Sequence, residues 1–345
     1  MTQWAYIGSF TSGGGRGITV AAVDPATGAP APRTSVQAVV NPACLALDRE
    51  AGVLYAVGDS NPGAVVALRT GPDGGLTPIG PAVDAGAAGP AHLCLAGGRV
   101  LTANYGGGSV SCFTRKPDGG LAGPPAVTAH HGAGPDPDRQ RGPHVHQVLP
   151  APAGPWVLGP DLGTDAVRVY APGAPGEGLR VHGETVLRAG SGPRHLAFHP
   201  AGEVVYVLHE LEPQMTVCRW DAVSGRLEPL AEVAIGPEGA PEGERVYPSV
   251  VCVSPDGRFV RAAVRGSNRI LTYALAGGAE KPLLTSWVDC GGVWPRDLAQ
   301  GPGGRLYVAN EWSGDITWFD ADDESGRLTP AGALRVPAAA CVLFT

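Results

Sequence analysis

The residues of this chain that could do chemistry stand at the ends of short apolar runs. The richest stretch is Gly192-Pro193-Arg194-His195, leading into Leu196-Ala197-Phe198. After Pro200-Ala201-Gly202 comes a second run, Val204 to Leu208, then His209 and Glu210. Two β-prone runs joined by turn residues read as a hairpin. Its open end carries a guanidinium, an imidazole and a carboxylate. A guanidinium matches a carboxylate or phosphate bidentately, and a held imidazole or carboxylate can move a proton. Similar residues mark the ends of other runs: His144-Val145-His146-Gln147, Asn104-Tyr105, Asp161, Arg265, Trp294-Pro295-Arg296-Asp297 and Asn310-Glu311. The three arginines Arg194, Arg265 and Arg296 need anionic partners. Structural carboxylates (Asp161, Asp297, Glu311) or a bound anion both satisfy that need.

Other chemistries find little support. There is no G-x-S-x-G nucleophile elbow and no Walker loop, and the Gly-rich runs 104–108 and 11–15 join strands, not a strand to a helix. His144-x-His146 alternates as two ligands on one strand would, but no further ligand spacing accompanies it, so no metal and no cofactor are expected. Net charge is −7 with no Lys/Arg-rich run, which argues against nucleic acid. No apolar stretch is long enough to suggest a membrane span, and the N-terminus does not read as a signal peptide. Seven scattered cysteines without a C-x-x-C read as reduced core thiols of a cytoplasmic protein. The expected state is monomer or homodimer. The loop 129–143, long and polar and placed just before His144, reads either as a lid or as a mobile loop without a role.

These stretches are positioned by a repeat. Leading residues at 42, 90, 145, 193, 248 and 295 each open a run such as Ala-Cys-Leu-Ala-Leu, followed by a second run, a third, a Gly-x-Leu turn and a weaker fourth. The spacings are 48, 55, 48, 55 and 47 residues. Four strands per ~50 residues is the period of a β-propeller blade. One such sheet cannot bury both faces, so copies must stack around an axis. The ends supply the remainder. Residues 336–344 read as a lone first strand with Pro337 leading, and 4–8 with 17–21 read as second and third strands. The chain is therefore expected to be all-β: one seven-bladed β-propeller over 1–345, with four-stranded antiparallel blades. The C-terminal strand pairs with the N-terminal blade and closes the ring, leaving no open seam. If the first strand is innermost, the two residues after each leader ring the channel mouth: Ala43-Cys44, Ala91-His92, His146-Gln147, Arg194-His195, Ser249-Val250, Arg296-Asp297 and Ala338-Ala339. The ring is polar along one arc only, as a site for an oriented ligand would be.

At Ala103-Asn104-Tyr105-Gly-Gly-Gly-Ser-Val, His144-x-His146, Pro160-Asp161-Leu162-Gly163-Thr164-Asp165, Gly192-Pro193-Arg194-His195, Ser254-Pro255-Asp256-Gly257-Arg258-Phe259, Arg265-Gly266-x-Asn268 and Trp294-Pro295-Arg296 the chain resembles a known family. This is the seven-bladed propeller lactonases of the bacterial 6-phosphogluconolactonase type, related to 3-carboxy-cis,cis-muconate lactonizing enzyme. The resemblance spans essentially the whole chain. It implies a site at His146, Arg194, Glu210 and Arg265. The sequence departs from the family at Val250, where an acidic residue is common, and at Asp297, where His is. The implied activity is hydrolysis of an anionic, sugar-derived or carboxylated lactone in the channel. In that reading His146 or Glu210 is the base, Arg194 polarises the carbonyl, and Arg265 with Arg296 holds the anion. His195, Asp297, Asn104, Tyr105, Asp161, Gln147 and Asn310 are expected to line the substrate site. Two alternatives use the same residues: a muconate-type lactonizing isomerase or cyclase, and a non-catalytic ligand-binding propeller.

Overall fold

The computed structural model describes residues 2–174, 176–236 and 245–345. Seven antiparallel sheets stand around one axis. Blades 1, 2, 4, 5 and 6 take their innermost strands in chain order from the leaders at 42, 90, 193, 248 and 295, with blade 3 between them. Blade 7 joins Ala339–Phe344 to Gln3–Ser9, Gly17–Val23 and Pro30–Val36. Its register runs Ala5↔Phe344 to Ser9↔Ala339, so the two termini pair as the repeat required.

Each second strand is buried on both sides, because its alternating side chains enter two different blade interfaces. Tyr6 packs toward blade 1 while Ala5 and Ile7 pack toward blade 6. Seven apolar clusters result, one at each junction between neighbouring blades. Buried tyrosines stitch these junctions with their hydroxyls. Tyr55 donates to Gly119 O at 2.7 Å, Tyr206 to Ala279 O at 2.6 Å, Tyr273 to Ala234 O at 2.8 Å and Tyr307 to Gly28 O at 2.7 Å.

The backbone at each blade entrance explains the channel lining. The leader pairs with the end of the second strand, the next residue is bulged out, and pairing resumes one residue later: Pro193↔His209 then His195↔Leu208, Pro295↔Asn310 then Asp297↔Ala309, Pro42↔Gly58 then Cys44↔Val57. Plain alternation would send two successive side chains to opposite faces. A bulge re-aims one of them, so Arg194 and His195, like Arg296 and Asp297, line the same cavity.

Three details differ from the sequence expectation. The C-terminal leader is Ala339, not Pro337, so Ala340 and Cys341 take the ring positions assigned to Ala338 and Ala339. The shift follows from Ala338, whose φ of +51° matches Asn41, Gly89 and Gly192 before their leaders. In blade 2 the outer strand is Ala126–Ala129, and Leu121 makes only an isolated bridge to Arg115. In blade 3 the His144–His146 segment is not a regular strand. It contacts the second strand through the Val145↔Asp161 bridge, and the first strand is reduced to Leu149–Pro150.

Candidate active site

The blade entrances converge on a cleft of about 210 Å³ at one end of the channel, lined by Asp59, Tyr105, Arg139, His146, Glu210, Arg265 and Arg296. Below it lies a smaller cavity of about 60 Å³, lined by Cys44, His92, Arg194, His195, Asp297 and Cys341 among others. Ala91, His146 and Arg296 border both, so the two spaces meet at these side chains.

Glu210 is the centre of charge. It follows directly on the second strand Val204–His209 of blade 4, and its amide is held by Gly192 O at 2.8 Å. Its Oε1 accepts from Arg139 Nη2 at 2.6 Å and its Oε2 from Arg265 Nη2 at 2.7 Å. Arg194 Nε stands 2.8 Å from Oε2 without the alignment of a hydrogen bond. Burial alone would raise the Glu210 carboxyl, but Arg265, Arg194 and Arg139 outweigh it and hold it at about 2. Glu210 is thus an anion clamped by three cations.

The arginines keep donors in reserve. Arg265 is fixed by Tyr247 O, Pro248 O and Glu210, and it packs over Trp294 at 5.3 Å. Arg194, fully buried, donates through Nη1 to Ser249 O. Burial and the nearby Arg265 push its pKa down, but Glu210 beside it keeps the guanidinium charged. Arg296 pairs with Glu311 at 3.2 Å and lies over the Phe10 ring. Among the described residues, Nη1 of Arg139, Nη1 of Arg265 and Nη2 of Arg194 donate no hydrogen bond. Arg139, Arg265 and Arg296 against Glu210 and Asp59 leave the cleft lining with one more cation than anion, as an anionic ligand requires.

Three histidines form the other half of the site. His195 lies edge-on to His146 with ring centroids 5.4 Å apart, and to His92 at 5.8 Å. His146 also meets the Tyr105 ring edge-on at 5.4 Å. Burial is the main cause of a lowered pKa in all three, and Arg194 adds to it. His92 falls to about 4, His146 and His195 well below their ordinary value. All are neutral at pH 7. The Nδ1 atoms of His146 and His92 are buried without a hydrogen-bond partner. Asp297 accepts from Val342 N at 3.1 Å, and burial raises its carboxyl.

Four residues expected at the site are used elsewhere. Asn104 is buried within blade 2, bonded to Thr102, Ser109 and Ser111. Asn310 does the same in blade 6 with Asp315 and Thr317. A strand-end amide here satisfies its own sheet. Gln147 Oε1 accepts from Leu196 N at 2.7 Å, tying blade 3 to blade 4. Asp161 is fully buried behind the cleft. It accepts from Arg168 at 2.6 Å, contacts His130 at 2.7 Å and takes the His144 and Gly163 amides. The remaining expected residues, including Tyr105, His195, Arg296 and Asp297, line the cleft or the cavity below.

Two lining residues escaped the sequence reading. Asp59 follows blade 1's second strand, the same place as Glu210 in blade 4. Arg139 comes from the 129–143 loop. That loop is an anchored strap. His130 is locked between Asp161 and Tyr170, whose OH is 2.7 Å from Nε2, and Gln140 is bonded to Leu162 O and Asp165. Its signal was Asp138-Arg139-Gln140-Arg141, a charged run in a long loop beside the channel. No three His, Cys, Asp or Glu among the described residues are grouped to hold a metal ion.

Fold and site together define a propeller with a cationic, histidine-lined cleft on its axis. The model of the family described as Lactonase, 7-bladed beta-propeller matches residues 4–344, and the chain belongs to that family. A Bacillus subtilis 6-phosphogluconolactonase is 31% identical over 351 residues, covering all of this chain and 99% of its own length. The structure of a Pseudomonas aeruginosa periplasmic gluconolactonase superposes with a TM-score of 0.92 at 29% identity, covering 100% of this chain and 99% of the other. A Lactobacillus plantarum protein superposes with a TM-score of 0.91 at 27% identity, over 100% of both chains.

Proposed function

We propose that this protein hydrolyses a sugar-derived lactone bearing a phosphate or carboxylate, in the axial cleft. The observation that carries this reading is His146, held neutral by burial and lining a cleft with guanidinium donors to spare. Hydrolysis of a cyclic ester needs a water made nucleophilic and an oxyanion stabilised. His146 takes the proton of the attacking water. Arg194, through Nη2, stabilises the charge that develops on the carbonyl oxygen. Arg139 and Arg265 hold the anionic substituent through their unused Nη1 groups, with Arg296 beside them. Glu210, already clamped as an anion, keeps the three arginines charged and in register. The family and the relatives named as lactonases support the reaction class. The cationic balance of the cleft supports the anionic substituent.

The seven free cysteines, with no disulfide, support a cytoplasmic setting for this chain, and no helix among the described residues is long and apolar enough to cross a membrane. The test is hydrolysis of freshly prepared 6-phosphogluconolactone against gluconolactone, followed by proton release. Faster turnover of the phosphorylated lactone, abolished by Arg194→Ala, supports the reading; no turnover of either lactone overturns it. Product NMR in deuterated water separates a cyclase, which places deuterium on carbon.

A further inference from the structure

Beyond the lactone-binding cleft, the structure carries a second feature at its rim. Trp294 and Trp312 are stacked with centroids 3.7 Å apart and planes within 5°. Trp312 is 63% exposed. The inner ring, Trp294, lies under Arg265, whose guanidinium carbon is 5.3 Å from its centroid, and Arg265 lines the cleft. Glu311, next to Trp312 in the chain, reaches the cleft-lining Arg296 through Oε2 at 3.2 Å. The pair of indoles is thus continuous with the cleft wall.

The backbone holds this pair at a cost. Trp294 has φ +68°, in the left-handed region, at the place before the blade leader. The same place is Asn41 in blade 1, Gly89 in blade 2, Gly192 in blade 4 and the small Ala338 in blade 7, and the Gly and Asn among them enter this region readily. A bulky aromatic there is strained, and such strain gathers at ligand-binding positions. The position is held by hydrogen bonds from Trp294 N to Asn268 Oδ1 at 2.8 Å and from Glu311 N to Trp294 O at 3.0 Å. Stability alone favours a small residue or Asn at this site; what Trp294 adds is an inner layer on which Trp312 lies flat.

We propose that Trp312, backed by Trp294, is a stacking subsite for a second pyranose ring, so that the protein accepts lactones of disaccharide acids as well as single-ring ones. A broad indole face suits the C–H-bearing face of a sugar ring. The flanking Glu311, about a fifth exposed, offers Oε1 to its hydroxyls, which an aryl group lacks. The proposal rests on the cleft reading, in that the lactone end enters beside Arg265.

The experiment pairs kinetics with calorimetry. Wild type, Trp312→Ala and Trp312→Phe are assayed on gluconolactone and maltobionolactone. Binding of the corresponding open acids, gluconate and maltobionate, is titrated calorimetrically. Trp312→Ala is expected to raise KM for maltobionolactone and Kd for maltobionate about tenfold, leaving both single-ring values within twofold, and Trp312→Phe to restore most of the loss. Equal effects on one-ring and two-ring ligands, or none, overturn the subsite, as does loss of a wild-type dimer in Trp312→Ala with no change in ligand binding. If no lactone is turned over yet maltobionate binding depends on Trp312, the subsite stands and the lactonase reading falls.

Discussion

Arg139 Nη2 lies 2.6 Å from Glu210 Oε1, although 71 residues of chain separate the two. The arginine belongs to a loop pinned by His130 and Gln140, the glutamate to the end of a core strand. A loop that joins blade 2 to blade 3 and closes on a carboxylate of blade 4 therefore completes the cationic cleft. Arg139 is about a third exposed, so removing it should leave the fold intact. Arg139→Ala is expected to lower kcat/KM for an anionic lactone by about 10- to 100-fold, mostly through KM, the size of a lost charge-assisted hydrogen bond. Steady-state kinetics with charged and neutral lactones check this, the neutral one being much less affected.

Glu210 makes the opposite demand. Glu210→Gln leaves three guanidiniums without their shared anion, and loss of one partner from a buried ion network costs about 3–5 kcal/mol. Chemical denaturation should show that loss at pH 7. The pH dependence has a definite sign. Glu210 has a folded pKa of about 2, below its unfolded value. Its contribution is therefore fully present above about pH 4.5 and is lost as pH falls toward 2. Wild type should destabilise through that window more steeply than Glu210→Gln, and the gap between them should narrow as pH drops.

Much of this was legible in the sequence because a repeat constrains many residues at once. Leaders such as Pro42, Pro90, Pro193 and Pro295 recur with their apolar runs, and they located the blades and the convergence of Arg194, Glu210, His146 and Arg265 near one cleft. What escaped were side chains whose use depends on local partners. Asn104 and Asn310 look like mouth residues by position, yet each closes a polar network in its own sheet. Asp161 is a strand-end carboxylate like Glu210, but it pairs with its leader Val145 as His209 pairs with Pro193, one residue earlier than Glu210, and there Arg168 and His130 hold it behind the cleft. Arg139 lay outside the repeat, where periodicity carries no information. Ala339 was misplaced by two residues because Pro337 mimics a leader, and only the positive φ of Ala338 marks the true blade entrance.

With His146 as the proposed base, its environment sets the expected pH profile. Burial, then Arg194, Arg296 and Arg265, lower its pKa well below 6.5, so it is a neutral acceptor throughout the physiological range. The acid limb of kcat/KM is expected well below pH 6.5, with no inflection between pH 6.5 and 7.5. His146→Asn should cut kcat by about 10²- to 10⁴-fold, the usual worth of a positioned proton acceptor, and remove that limb. The stability sign agrees. A histidine buried neutral loses stability as pH falls below its unfolded pKa, because the unfolded chain takes up the proton first. An acid limb near pH 6.5 would point to an exposed imidazole and exclude His146 as the base.

Asp161 provides a structural counterpart to these tests. Burial alone would raise its carboxyl, but the bonds from His130 and the His144 amide, with Arg168, bring it below its ordinary value. It is a buried anion that fixes both the root of the 129–143 strap and the segment carrying His146. Asp161→Asn leaves Arg168 with the more exposed Glu184 and weakens the His130 anchor. The expected loss is about 3–5 kcal/mol, together with a rise in KM like that of Arg139→Ala, because the strap that presents Arg139 loosens. Limited proteolysis gives the distinguishing readout: Asp161→Asn should be cut within 129–143 much faster than wild type, whereas Arg139→Ala, with its anchors intact, should not. If Asp161→Asn lowers kcat while the strap stays protected and KM holds, then Asp161 acts on the reacting groups directly, and its placement behind the cleft does not describe the working enzyme.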